Sequence, residues 1–140
     1  MGDERGHRAI PHTADVILEA WAPDVAGCLE LAVAALASTY GEVDDGTALT
    51  ARTVEVPPGQ RETQLLDLLD EVIFALDTAE GVPVAADVRL VADGSLQVVL
   101  RLAPLDRVAP TGSVPKGISR SQLELRDSPK GVSCRFLVDV

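Results

Sequence analysis

The sequence predicts an α+β fold: a largely antiparallel sheet carrying two amphipathic helices, with a hairpin at the C-terminal end. Three observations predict it. Two stretches repeat apolar residues at helical spacing, six stretches alternate apolar and polar residues, and four of those six are joined in pairs by short turn-forming segments. Tight turns connect antiparallel neighbours, so two late hairpins exclude a purely parallel α/β sheet. At 140 residues and 46% hydrophobic composition, the chain is expected to form one domain over residues 1–140. A chain of that size buries roughly two-thirds of its unfolded surface and needs no disulfide or metal to fold.

The first strand is read over residues 16–22, where Val16, Leu18 and Ala20 alternate with Ile17, Glu19 and Trp21 directly after Asp15. Asp24 is placed to cap a helix that follows Pro23, in which Leu29, Ala32, Val33 and Leu36 recur at helical spacing until Gly41 stops the run. Residues 42–46 are acidic and contain a glycine, which predicts a loop. Residues 50–56 alternate as a strand until Pro57-Pro58-Gly59 breaks it. In the second helix Leu65, Leu66, Leu69, Val72, Ile73 and Leu76 make one apolar stripe beside Asp67, Asp70, Glu71 and Asp77, and Gly81 and Pro83 end it. Asp93-Gly94 separates the alternating runs 85–92 and 95–102, and predicts a hairpin closed by a type I′ turn. Residues 103–115 hold prolines at 104, 110 and 115 and predict an exposed loop. The alternating runs 118–126 and 132–138 flank Asp127-Ser-Pro-Lys-Gly as a second hairpin.

Composition narrows the function. Twelve Lys and Arg against 22 Asp and Glu leave a net charge of −10. Nonspecific nucleic-acid affinity comes from cations displacing counterions from phosphates, so no direct nucleic-acid binding is expected and any service to RNA should pass through another protein. An acidic field favours metal ions or a basic partner patch, and an acidic monomer is expected. No apolar run approaches the length of a membrane span, and no leader-like pattern opens the chain, so a cytoplasmic place is expected. Cys28 and Cys134 have no metal-ligand spacing and read as buried thiols.

Motifs for nucleotide binding and serine hydrolysis are missing: there is no G-x-S-x-G, G-x-x-x-x-G-K-[ST] or G-x-G-x-x-G. His7, in a polar N-terminal tail, and His12 are the two imidazoles. The topology singles out Asp15, Lys116 and Asp139. In an antiparallel terminal hairpin the start of one strand, near Lys116, shares a sheet edge with the end of the other, near Asp139. If the first strand pairs antiparallel with the last, Asp15 joins them. The carboxylate of Val140 stands one residue beyond Asp139, so the cluster offers several hard oxygen ligands suited to calcium, magnesium or manganese rather than zinc. The chain uses 10 Arg and 2 Lys, and one of the two lysines occupies position 116.

These residues resemble the archease family. The resemblance begins with His12-Thr13-Ala14-Asp15 entering a strand and continues through the two helices, with Leu65-Leu66-x-x-Leu69-x-Glu71, Asp77 and Glu80-Gly81. It resumes at Lys116-Gly117-Ile118 and closes on Val138-Asp139-Val140. It implies a small α+β accessory protein of an RtcB-type RNA ligase that promotes GTP-dependent guanylylation and multiple turnover in tRNA splicing and RNA repair. By the same resemblance the metal site, most naturally for calcium, maps onto Asp15, Asp139 and Val140. Asp15, Lys116 and Asp139 map onto the residues of ligase activation, and no catalytic residue is implied. After the lysine the family pattern of Ala, aliphatic, Thr, Tyr, His is replaced by Gly117, Ile118, Ser119, Arg120 and Ser121. Two other classes compete: a self-sufficient metal-dependent phosphoesterase using Asp15 and Asp139, and a metal-independent, chaperone-like binding module.

Overall fold

A computed structural model describes residues 4–12 and 15–140. The elements in chain order are β1 (Gly6–His12), β2 (Asp15–Ala22), α1 (Val25–Tyr40), β3 (Gly41–Val43), β4 (Thr50–Val56), α2 (Arg61–Asp77), β5 (Val82–Leu90), β6 (Leu96–Ala103), β7 (Val108–Pro110), β8 (Gly117–Ile118), β9 (Glu124–Ser128) and β10 (Gly131–Asp139). A large sheet runs β1-β2-β10-β8, with β9 also on β10. A small sheet runs β4-β6-β5, and β3 pairs with β7. Every pairing is antiparallel, and both helices touch both sheets, so the α+β expectation holds.

Strand alternation explains the packing. Leu18, Ala20 and Ala22 of β2, with Val132, Cys134, Phe136 and Val138 of β10, join one core with Leu29, Ala32, Val33 and Leu36 of α1. The same core takes Leu65, Leu69 and Val72 of α2 and Val54, Val56, Leu96, Val98 and Leu100 of the small sheet. Phe136 is fully buried there, and truncation to alanine at such a site costs about 3–5 kcal/mol.

Helix boundaries follow from local chemistry. The Asp24 carboxylate accepts a 2.7 Å hydrogen bond from the Gly27 amide, an N-cap worth ~1 kcal/mol. Gly41 follows α1, where a Cβ would lie 2.3 Å from the Ala109 carbonyl oxygen. Helix α2 starts at Arg61, a turn before its apolar stripe, because Gln64 is 1% exposed and fully bonded. Its Nε2 donates to the carbonyls of Pro57 (3.0 Å) and Gly94 (2.8 Å), and its Oε1 accepts from Arg61 (2.6 Å). The helix ends at Asp77, and the chain leaves it through Ala79 rather than at Gly81. Ala79, at φ 58°, donates to Leu76 while Glu80 donates to Ala75, a Schellman closure with alanine where glycine is usual.

Five other expectations are corrected. His7, read as part of a polar N-terminal tail, lies in β1, because β2 presents Gly6–His12 with a bonding edge. Residues 42–46 are not all loop and 103–115 are not one exposed loop: Gly41–Val43 pairs with Val108–Pro110, which buries Val108. The β5–β6 connection is not type I′. The Gly94 amide bonds the Val91 carbonyl, the Val91 amide bonds Ser95, and Gly94 alone has positive φ, a type I turn with a glycine bulge. Asp93 instead turns its carboxylate to the Ser95 amide at 2.9 Å. Finally, the run 118–126 is not one strand: a 3-10 turn at Arg120–Gln122 divides it into β8 and β9.

Candidate functional site

The candidate site is the end of the large sheet where β2 begins and β10 finishes. In the antiparallel register Asp15 stands opposite Asp139, and on the other flank of β10 Asp139 stands opposite Gly117. Because Val16 and Val138 face the core, strand parity sends Asp15 and Asp139 to the opposite face, in line with Ile17 and Leu137. The Lys116 amide donates to the Asp139 carbonyl at 2.7 Å, and the Ser119 amide donates to the Leu137 carbonyl at 2.9 Å. This stitches the segment after Pro115 to the last strand. A depression of about 410 Å³ at this edge is lined by Asp15, Gly117, Ile118, Ser119, Leu137 and Asp139.

Asp139 and Lys116 are exposed and Asp15 is half-buried, so both carboxylates are open to a partner or an ion. No ion pair among the described residues joins Lys116 to either carboxylate. Val140 packs its side chain against the core, which anchors the residue beyond Asp139. No group of three His, Cys, Asp or Glu side chains gathers at metal-ligand spacing among the described residues. Asp15 and Asp139 are therefore two neighbouring carboxylates. Such a set fits a divalent cation that keeps much of its water.

The row extends further than the sequence suggested. His12 is opposite Asp15 in the β1–β2 register, so backbone positions His12, Asp15, Asp139 and Gly117 form one line across four strands. The side chain of His12, and Thr13 and Ala14 between these strands, lie outside the described residues. The signal for β1 was weak because Gly6, Arg8 and Pro11 interrupt its alternation. His7 is exposed on β1, opposite Ala20, and away from this edge.

Cys28 and Cys134 are buried, as expected. The Cys28 thiol donates to the Ala20 carbonyl at 3.6 Å, and the hydrogen bond between the two thiols, with burial, pushes Cys134 well above the ordinary thiol range. Neither acts as an exposed nucleophile.

Residues 7–140 match the family described as Archease protein family (MTH1598/TM1083). "Probable protein archease" of Mycobacterium tuberculosis is 32% identical over 139 residues, covering 99% of this chain and 77% of that protein. "Protein archease-like" of Dictyostelium discoideum is 23% identical over 148 residues, covering 100% and 97%. The solution structure of Methanobacterium thermoautotrophicum protein 1598 has a TM-score of 0.77 at 21% identity, covering 96% of this chain and 99% of that one. The crystal structure of a Thermotoga maritima protein described as an archease, possible chaperone, has a TM-score of 0.67 at 17% identity, covering 95% and 96%. At these identities the two structures establish a shared fold. No helix among the described residues is long and apolar enough to cross a membrane.

Proposed function

This chain belongs to the archease family, and from that premise we propose that it is a non-catalytic accessory protein of an RtcB-type RNA ligase. In this reading it acts in the cytoplasm, promoting GTP-dependent guanylylation of the ligase and its multiple turnover during tRNA splicing and RNA repair. The observation that supports the reading is the register of the large sheet, in which Asp15, Asp139 and Gly117 stand side by side with Lys116 bonded to the same strand end.

The net charge of −10 suits a protein that meets a basic, phosphate-binding partner rather than RNA. Asp15, Asp139 and the Val140 carboxylate would hold a divalent cation, calcium first and magnesium or manganese as alternatives. Bound there, the ion supplies positive charge toward phosphate oxygens. Lys116 presents a compact ammonium on a flexible stem from a backbone fixed to Asp139, and so can hold a phosphoryl oxygen as a point charge. Catalysis of phosphoryl transfer rests on positioning and charge neutralisation, and that is what a preformed acidic edge with one mobile cation contributes.

The test is GTP-dependent labelling and ligation by the matching ligase, with the chain added in excess over the ligase and compared with its Asp139→Ala variant. The reading predicts stimulation by the intact chain and its loss in the variant. An active ligase that the intact chain does not stimulate would refute the accessory role. Undiminished stimulation by Asp139→Ala would refute the acidic edge.

A further inference from the structure

The small sheet has two edges, and the structure treats them differently. Along the β5 edge lies α1, whose Glu30 carboxylate accepts a 2.9 Å hydrogen bond from the Val88 amide. Strand β4 is the other edge. Its ladder to β6, from Thr50↔Leu102 to Val56↔Leu96, uses one flank, and no other strand among the described residues pairs with its other flank. An open strand of this kind is a template for a further strand, and its seven residues span about 23 Å.

Beside that open flank a groove of about 410 Å³ separates β4 from α2. Val56 lies at its floor. One wall is a stripe of α2 at helical spacing, Asp67, Asp70, Glu71 and Phe74, and Glu55 faces it from β4. Phe74 is 54% exposed, so the groove offers an apolar surface as well as charge. Arg52 reaches from β4 to Glu71 (2.9 Å) and Glu80 (3.5 Å), with its guanidinium 5.8 Å from the Phe74 ring, and so commits its cation to bridging strand and helix. Burial, then Asp67 and Glu71, hold the Asp70 carboxyl above the usual carboxylate range, although Arg120 opposes them. Added positive charge would relieve that crowding.

We propose that this groove receives an extended segment of a partner protein that alternates basic and apolar side chains and pairs its backbone with the open flank of β4. Main-chain hydrogen bonds supply affinity in this mode, and alternate side chains supply specificity. Here the apolar residues meet Phe74, and the basic ones meet Glu55, Asp67 and Asp70. A second copy of the chain is disfavoured as the occupant, because each carries a net charge of −10 and would bring a second Glu55 with its own β4. The groove uses none of the residues of the Asp15–Asp139 edge, so this inference stands apart from ligase activation.

The probe is an acetylated, amidated heptapeptide alternating lysine and valine, titrated into the isotope-labelled full chain in about 0.15 M salt to screen diffuse attraction. The expected result is amide shift changes confined to β4 and residues 67–74 of α2. The same peptide N-methylated along one backbone edge should bind about tenfold more weakly or not at all. The Asp67→Asn/Asp70→Asn double variant, whose free spectrum reports that it is folded, should also lose about tenfold in affinity. Three results would overturn the proposal: equal binding of the N-methylated peptide, shifts scattered over the acidic surface, or β4 shifts that appear on concentrating the chain alone.

Discussion

Two carboxylates placed directly opposite each other on one sheet face repel, and the stability cost is measurable. Opposed residues in an antiparallel pair have Cβ atoms about 4.5–5.5 Å apart, so the charges of Asp15 and Asp139 repel by ~0.8 kcal/mol at ~5 Å in water. For 140 residues the unfolding entropy near the midpoint is about 0.3 kcal/mol/K, which converts that repulsion into a rise in Tm of about 3 °C when one charge is removed. Asp139→Asn keeps the shape of the side chain, and it leaves the Asp139 carbonyl free to accept from the Lys116 amide. In scanning calorimetry at low ionic strength with chelator present, the variant should therefore melt higher than the parent. Adding calcium should reverse the order. At a hundred times the dissociation constant the parent gains ~2.7 kcal/mol, or about 9 °C, while the variant gains little. A variant that melts lower in chelator would make Asp139 a structural residue, and an equal calcium response in both proteins would remove it from the cation site.

Other outcomes follow from the same structure. Gln64→Leu leaves the part-buried Pro57 and Gly94 carbonyls without their donor, and should cost about 1–3 kcal/mol in denaturant melts with an unchanged m-value. Ala79→Gly removes a side chain from a left-handed position and should stabilise by about 0.5–1 kcal/mol in the same melts. Asp70 has a raised carboxyl pKa, so its ionisation opposes folding. Asp70→Asn should raise Tm at pH 7, and that advantage should vanish as the pH falls to ~3, where the parent is protonated in both states. Gly117→Ala restores the family's residue at a position where a Cβ meets nothing within 4 Å, so melts should show it unchanged or stabilised by up to ~1 kcal/mol. Loss of ligase stimulation in that folded variant would mean that a partner approaches the bare backbone there.

Elements with strong periodicity were legible in the sequence. Residues 50–56 form β4 as read, and Asp24 caps α1 as read, because in both places burial, propensity and local hydrogen bonding agree. Elements made by a distant partner were not. Gly41–Val43 and Val108–Pro110 are each three residues long, too short for any period, and exist because each satisfies the other's backbone. The open groove beside β4 was equally hidden, since Asp67, Asp70 and Glu71 read only as the solvated face of a helix until the strand order put an unpaired edge next to them.

The placement of the candidate site depends on an irregularity that periodicity could not reveal. The β9–β10 ladder pairs Gly131 with Ser128 and Arg135 with Glu124, and continued without a break it would set Arg120 opposite Asp139. Instead six residue steps from Ile118 to Glu124 face three steps from Arg135 to Val138, and the extra residues are extruded around the turn at Arg120–Gln122. The extrusion exchanges Arg120 for Gly117 beside Asp139 and brings the Lys116 amide to its carbonyl. A rigid, bidentate guanidinium opposite two carboxylates would neutralise them within the protein, whereas glycine leaves them open and keeps a flexible ammonium one residue away. The extruded turn also absorbs Ser119, Arg120 and Ser121, three of the positions that depart from the family pattern. Their side chains can vary there without disturbing the register that sets Asp15 beside Asp139, because that register is held by β2 and β10.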